Sequence, residues 1–145
     1  MSRRKVIFSA VGVMLVAALL AMSLTACLKI GMQEKNVRDR LVKAGAQTSY
    51  ERTSPMTAGL SGYKIGDILL AKLAVVDNVD GEEVESLQSV YVFFTQDSRS
   101  ADAVEKACKS YMEENSETLV RWNVYRHEEV IVCGHYKLVS IVRQY

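Results

Sequence analysis

The sequence predicts an α+β domain: a small antiparallel sheet of three to five strands, one helix packed across a face of the sheet, and a further N-terminal helix. Three observations support this class. Apolar residues recur at three- and four-residue spacing in residues 33–44 and 101–115, which is typical of amphipathic helices. β-Branched and aromatic residues fill segments 89–94 and 130–133. Residues 118–126 alternate between apolar and polar side chains, as a half-buried strand does.

The first half of the domain is predicted to be a helix followed by a hairpin. Residues 33–44 form the helix, which Gly45 ends. Residues 47–62 contain Pro55 and many small polar residues, so we expect a loop with a short edge strand near residues 49–52. Residues 63–76 predict a strand, although their leucines, alanines and lysines also suit a helix. This segment and strand 89–94 flank a polar turn at 77–83 that contains Asp80-Gly81.

The second half is predicted to be a helix followed by a second hairpin. Ser98 or Ser100 caps a helix at 101–115, and its apolar stripe should lie on the sheet. Strand 118–126 places Val120 and Trp122 on one face, and a turn at 127–129 leads to strand 130–133, which Gly134 ends. The tail from residue 136 suits either a last strand or a helix.

Composition and charge exclude several classes of protein. With 49% hydrophobic residues and a single proline, the 145-residue chain can bury a core and is neither collagenous nor disordered. Its 18 lysines and arginines against 17 acidic residues give a net charge of +1, which leaves no electrostatic basis for nucleic-acid binding. The length indicates one folded domain.

The N-terminus carries an export signal. Arg3, Arg4 and Lys5 precede residues 6–26, which form a run of 21 residues without an ionisable side chain. A basic end followed by an apolar stretch directs a chain across a membrane, with the basic end left on the cytoplasmic side. A run of this length can also span the bilayer as an uncleaved helix. The residues at its end favour one of these two outcomes.

Leu24-Thr25-Ala26-Cys27 resembles the bacterial lipobox, in which an aliphatic residue and two small residues precede a cysteine. The resemblance covers the first 27 residues and indicates a processing class. It implies cleavage after Ala26 and a lipid on Cys27. It does not indicate a family for the folded part. The expected organisation is therefore a signal peptide at 1–26, a tether at 27–32 and one extracytoplasmic domain at 33–145. Acyl chains on Cys27 would hold the domain on the cell membrane or the outer membrane.

Two further cysteines, Cys108 and Cys133, allow a disulfide. Export would place them where disulfides persist, and the bridge would close a loop of about 25 residues and stabilise the fold by roughly 3 kcal/mol. The alternative is that both are buried free thiols that act as small apolar residues. The sequence leaves both readings open.

No pattern predicts a metal or cofactor site. His127 and His135 lie near the cysteines without a paired ligand spacing, and both are expected at turns or at the surface. The acidic hairpin tip lacks the first ligand of a calcium loop, so a solvated tip is expected there. Its members are Asp77, Asp80, Glu82, Glu83 and Glu85. Tyr91 and Tyr125 could lie on an exposed sheet face that contacts a protein or a glycan, although core positions suit them as well.

These observations predict a lipid-anchored, non-catalytic domain that binds a protein or envelope component near the membrane surface. One alternative is a small secreted enzyme that uses Cys133 and His135, which requires a reactive thiolate. Another is a small-ligand module built on the loop at 47–62. No catalytic residue, metal or cofactor is assigned.

Overall fold

The computed structural model describes residues 32–144, and the predicted signal peptide and Cys27 lie outside them. These residues form three helices and five strands. In chain order the elements are α1 (Glu34–Lys43), β1 (Gln47–Glu51), β2 (Ile65–Val79), β3 (Glu82–Thr95), α2 (Ser98–Glu114), β4 (Trp122–His127), β5 (Val130–His135) and α3 (Tyr136–Arg143). The predicted α+β class is confirmed.

The strands form one antiparallel sheet in the order β1-β2-β3-β5-β4. Its central hairpin is longer than its neighbours. β1 pairs with β2 only at residues 68–72, and β5 pairs with β3 only at residues 90–94. Residues 73–89 therefore extend past the rest of the sheet as a two-stranded ribbon, which we call the hairpin arm. Among the described residues its strands pair only with each other.

Helices cover both faces of the sheet. α2 packs on one face through Ala101, Val104 and Cys108, against Phe93 and Ile131 of the sheet. α1 and α3 cover the other face, where the described core residues are Met32, Val37, Leu41, Ala46, Leu69, Ala71, Val75, Val90, Val92, Val132, Leu138, Val139 and Val142. The predicted helix across one face is α2, and the opposite face is covered as well. Full burial of each large apolar side chain contributes about 1.5–3 kcal/mol.

The hairpin turn is much tighter than the sequence predicted. It consists of Asp80 and Gly81 alone, with φ angles of 51° and 85°, the left-handed backbone that a two-residue turn requires. The Asn78 side chain supports this turn by accepting a hydrogen bond from the Gly81 N–H at 3.0 Å. Residues 77–79 and 82–88 pair across the hairpin. The sequence predicts a turn at 77–83 and no strand at 84–88, so both strands of the hairpin are longer than expected. The helical alternative for residues 63–76 is wrong, because β2 begins at Ile65.

Three other boundaries differ from the prediction. Asp97, rather than Ser98 or Ser100, caps α2, because its carboxylate accepts the Ser100 N–H at 2.7 Å. β4 begins at Trp122 instead of residue 118, so Val120 precedes the strand. His127 belongs to β4, and β5 continues through Gly134 to His135.

The tail beyond β5 is the helix α3, which settles the choice between strand and helix. The edge strand β1 covers Gln47–Glu51, slightly earlier than expected within the loop. Within residues 32–144, no helix has the length and apolar character needed to cross a membrane.

Candidate functional site

The base of the hairpin arm is fastened to the body of the domain through Asp77. Its carboxylate lies 2.9 Å from Nε2 of His135, 3.1 Å from a guanidinium nitrogen of Arg121 and 3.2 Å from Nζ of Lys137. Arg121 also donates to the backbone oxygen of Asn78 at 2.7 Å, and Lys137 donates to that of Val76. We call the side chains of Asp77, Arg121, His135 and Lys137 the clasp.

The clasp corrects two sequence predictions. Asp77 was assigned to a solvated acidic tip, yet it is only 6% exposed. His135 was placed at a turn or at the surface, and it is 1% exposed. Their burial is favourable because His135 and Asp77 hydrogen-bond each other across 58 residues of sequence, a contact that local patterns do not encode.

Both ring nitrogens of His135 are occupied. Nδ1 accepts the backbone N–H of Lys137 at 3.3 Å and so caps the N-terminus of α3. The proton must then lie on Nε2, which donates to Oδ2 of Asp77. A general base needs a ring nitrogen that is open to substrate. This histidine therefore connects α3 to the hairpin arm instead of serving as a base.

Asp77 stays ionised in this environment. Burial raises the pKa of its carboxyl, but the donors of Lys137 and His135 and the guanidinium of Arg121 lower it by more. The pKa of Asp77 therefore lies below its ordinary value. Its Oδ1 atom has two cationic groups nearby, although neither meets the geometry of a hydrogen bond. The clasp is held mainly by charge.

Above the clasp, an open groove runs between the hairpin arm and the segment that precedes β4. Its first part is a pocket of about 200 Å³ whose walls include Val79, Val84, Val120 and Trp122, with the clasp at its floor. Its second part, of about 460 Å³, shares Val120 and Trp122 and continues to Met112 of α2. We call the two parts together the groove.

Apolar side chains are left exposed in this groove. Val120 is 75% exposed, and Val79 and Val84 are each 44% exposed. Val120 projects because the chain turns tightly after α2, where the Leu119 N–H bonds to the Asn115 oxygen. Local sequence patterns predict Val120 on a strand face and indicate neither Val79 nor Val84 as part of a site. The position of Val84 between Glu83 and Glu85 was the only local feature of the sequence that indicated a strand there.

The two cysteines lie together in the core between α2 and the sheet. Cys108 and Cys133 are fully buried free thiols. A hydrogen bond with the Cys133 thiol and burial together raise the pKa of Cys108. The enzyme alternative uses Cys133, and a nucleophilic cysteine needs access to substrate, which the full burial of Cys133 prevents. The predicted thiol-dependent enzyme therefore has no support from this arrangement, while the disulfide stays a prediction.

The loop before β2 packs against α2. Met56 is buried in the core beside α2, Ser54 and Thr57 hydrogen-bond each other at 2.9 Å, and the Lys64 N–H bonds to the Ser100 hydroxyl at 2.9 Å. A pocket of about 240 Å³ lies on the surface of this segment, with Thr57 and Tyr63 among its lining residues. The chain thus keeps a second concave surface where the small-ligand alternative would place its site.

Tyr91 and Tyr125 occupy the core positions that the sequence also allowed, because helices cover both faces of the sheet at these two residues. Tyr91 packs on the α2 side of the sheet, with its ring 6.4 Å from Phe93 and 6.3 Å from Trp122. Tyr125 lies on the other side, where Arg143 of α3 stacks over its ring at 4.4 Å. Neither tyrosine lines the groove, whereas Trp122 lines both of its pockets.

Among residues 32–144, no three histidine, cysteine or acidic side chains converge in a way that could hold a metal ion. No family model, curated protein or solved structure is significantly similar to this chain.

Proposed function

We propose that this protein is a lipid-anchored, non-catalytic binding domain on the extracytoplasmic side of a bacterial membrane, and that the groove is its binding surface. The observation that carries the binding role is the exposure of Val79, Val84 and Val120 around Trp122 in one concave surface. Single exposed apolar residues are common, whereas a concave cluster of them is typical of a recognition site.

The anchoring role is supported by the N-terminal sequence. The basic end, the apolar run and the lipobox-like residues ending at Cys27 occur in the order and spacing of a lipoprotein signal. Met32, the first described residue, lies five residues after Cys27, and a chain of this length reaches about 17 Å when fully extended. The domain would therefore sit close to the lipid headgroups, and its partner would lie near the membrane.

The clasp supports a binding role over a catalytic one. It fixes the base of the hairpin arm with three cationic or donor side chains, and it uses both nitrogens of His135. A fixed arm keeps the walls of the groove at a constant separation, which lowers the conformational cost of binding a partner.

Fatty-acid labelling in a bacterial host tests the anchor. The wild-type protein should incorporate label and lose residues 1–26, whereas Cys27→Ser should do neither, because the serine hydroxyl does not form the thioether. Cys133→Ser provides the matched cysteine control and should be labelled as the wild type is. Equal labelling of wild type and Cys27→Ser would contradict the anchor.

Site-specific photocrosslinking in whole cells tests the binding role. A photoreactive amino acid at position 84 or 120 should give a discrete adduct, because both positions line the groove. Position 87 is the control: Leu87 is 68% exposed and lies on the opposite face of the same arm strand from Val84. Adducts of equal yield at all three positions, or none at the groove positions, would contradict the proposal.

A further inference from the structure

We propose that the partner of the groove is a polypeptide segment that combines apolar side chains with lysines or arginines. This inference rests on the proposed function, since it names the chemistry of the occupant of the same groove. Two features carry it: the exposed apolar side chains around Trp122, which lines both pockets of the groove, and an excess of exposed carboxylates on the two segments that border them.

The borders of the groove are strongly acidic. The tip of the hairpin arm and the end of α2 with the turn beyond it carry seven exposed carboxylates, on Asp80, Glu82, Glu83, Glu85, Glu113, Glu114 and Glu117. Glu113 lines the second pocket and Glu82 lies on the groove face of the arm, whereas Glu83 and Glu85 lie on the same arm face as Leu87. None of the seven forms an ion pair with another residue in the described part of the chain. They are therefore available to a positively charged partner.

The cations near the groove do not offset these carboxylates. Arg121 is paired with Asp77 at 3.1 Å, and Lys109 is paired with Glu105 at 2.9 Å. Lys137 shares the Asp77 carboxylate with Arg121, so the clasp holds one cation more than it has carboxylates, which is too few to offset the seven. The negative electrostatic potential of the unpaired carboxylates attracts cations and repels anions over about 8 Å at physiological ionic strength.

The pockets suit side chains better than a whole small molecule. They measure about 200 and 460 Å³, are open to solvent and share the wall formed by Val120 and Trp122. Small-molecule sites usually enclose most of the ligand, which open pockets such as these cannot do. Two neighbouring open pockets instead fit two apolar side chains of one segment, while its cations reach the acidic borders.

The same charges argue against other occupants. An anionic lipid surface would be repelled by the seven carboxylates, and a second copy that packed groove to groove would bring like charges together. A basic polypeptide segment is the occupant that satisfies both the apolar pockets and the acidic borders.

Fluorescence of Trp122 tests this inference, because it is the only tryptophan in the chain and lines both pockets. The full-length protein, in neutral lipid nanodiscs, is titrated with a capped octapeptide that alternates lysine with leucine and valine. Versions with glutamine or glutamate in place of lysine are the matched probes. We expect the lysine peptide to bind about tenfold more tightly than the glutamine peptide, and the glutamate peptide to bind least.

Two variants assign the effect to the groove. Val120→Ser should weaken binding of the lysine peptide, since it removes the shared apolar wall, whereas Leu87→Ser on the opposite arm face should leave it unchanged. Glu113→Gln with Glu117→Gln should weaken the lysine peptide but not the glutamine peptide. Raising the salt concentration should also reduce the difference between the two peptides.

The outcomes separate this inference from the proposed function. Equal binding of the lysine and glutamine peptides, with both lost in Val120→Ser, would leave the groove as a binding site and overturn the basic partner. Absence of binding by any of the peptides would overturn it too. A Trp122 response to anionic vesicles that exceeds the peptide response, or dimerisation abolished by Val120→Ser, would replace the peptide with a membrane or a second copy. The whole-cell crosslinks decide the proposed function independently.

Discussion

Gly134 lets two central strands approach each other, and replacing it tests the packing that holds the clasp. A Cβ added at this position would lie 2.5 Å from the Ser89 oxygen and 2.5 Å from the Val90 Cα. Both are backbone atoms of β3, which cannot move without disturbing its pairing with β2. Forcing an extra carbon into a packed core costs about 1–3 kcal/mol, and the rigidity of these neighbours places Gly134→Ala near the upper end.

Urea unfolding followed by circular dichroism measures this loss. At roughly 4 °C per kcal/mol, a loss of about 3 kcal/mol should also lower the melting temperature of the domain by about 12 °C. Gly66→Ala is the matched control: its Cβ would lie 3.5 Å from the Phe94 oxygen, an ordinary contact, so its midpoint should change little. If Gly134→Ala unfolded at the same urea concentration as the wild type, the close approach of β3 and β5 would be wrong.

Three further predictions concern the clasp and the two cores. Because the pKa of Asp77 is lower in the folded than in the unfolded protein, the ionised carboxylate stabilises the fold fully above about pH 4 and loses this effect as the pH falls through the folded-state pKa. The difference in unfolding free energy between wild type and Asp77→Asn, measured in urea, should therefore shrink under acid. In reduced, folded protein, mass spectrometry should find Cys108 and Cys133 unmodified after alkylation times that modify both in urea, and rapid labelling of the folded form would contradict their burial. Leu41→Ala should lower the unfolding free energy by about 2–5 kcal/mol, whereas a loss below 1 kcal/mol would contradict the packing of α1.

Local sequence patterns correctly predicted the elements that bury one face against the sheet. The stripe of α2 that contains Val104 and Cys108 is buried as its spacing indicated, and the β-branched run of β5 is a central strand. The helix α1 begins and ends within one residue of its predicted bounds. In these segments burial follows periodicity, because one side of each element faces the sheet.

The clasp and the groove depend on contacts between distant residues. Asp77 reads locally as part of an acidic turn, and only its approach to His135 and Arg121 makes its burial favourable. The sequence does not predict the length of the hairpin arm. Both faces of this ribbon are partly solvated, so its strands lack the apolar face by which a strand is recognised. Val120 fits an alternating strand pattern, yet the turn after α2 leaves it exposed beside Trp122.

Oxidative footprinting of the native envelope tests the central claim most directly, because Trp122 and Met112 both line the groove and both oxidise readily. Purified protein and intact cells of the native host are exposed to the same dose of hydroxyl radicals, and modification is quantified by mass spectrometry. The binding account predicts strong protection of both side chains in cells, with Leu87 and Tyr50, which are exposed away from the groove, modified equally in the two samples. Equal oxidation of Trp122 and Met112 in cells and in purified protein would show an unoccupied groove and contradict the account.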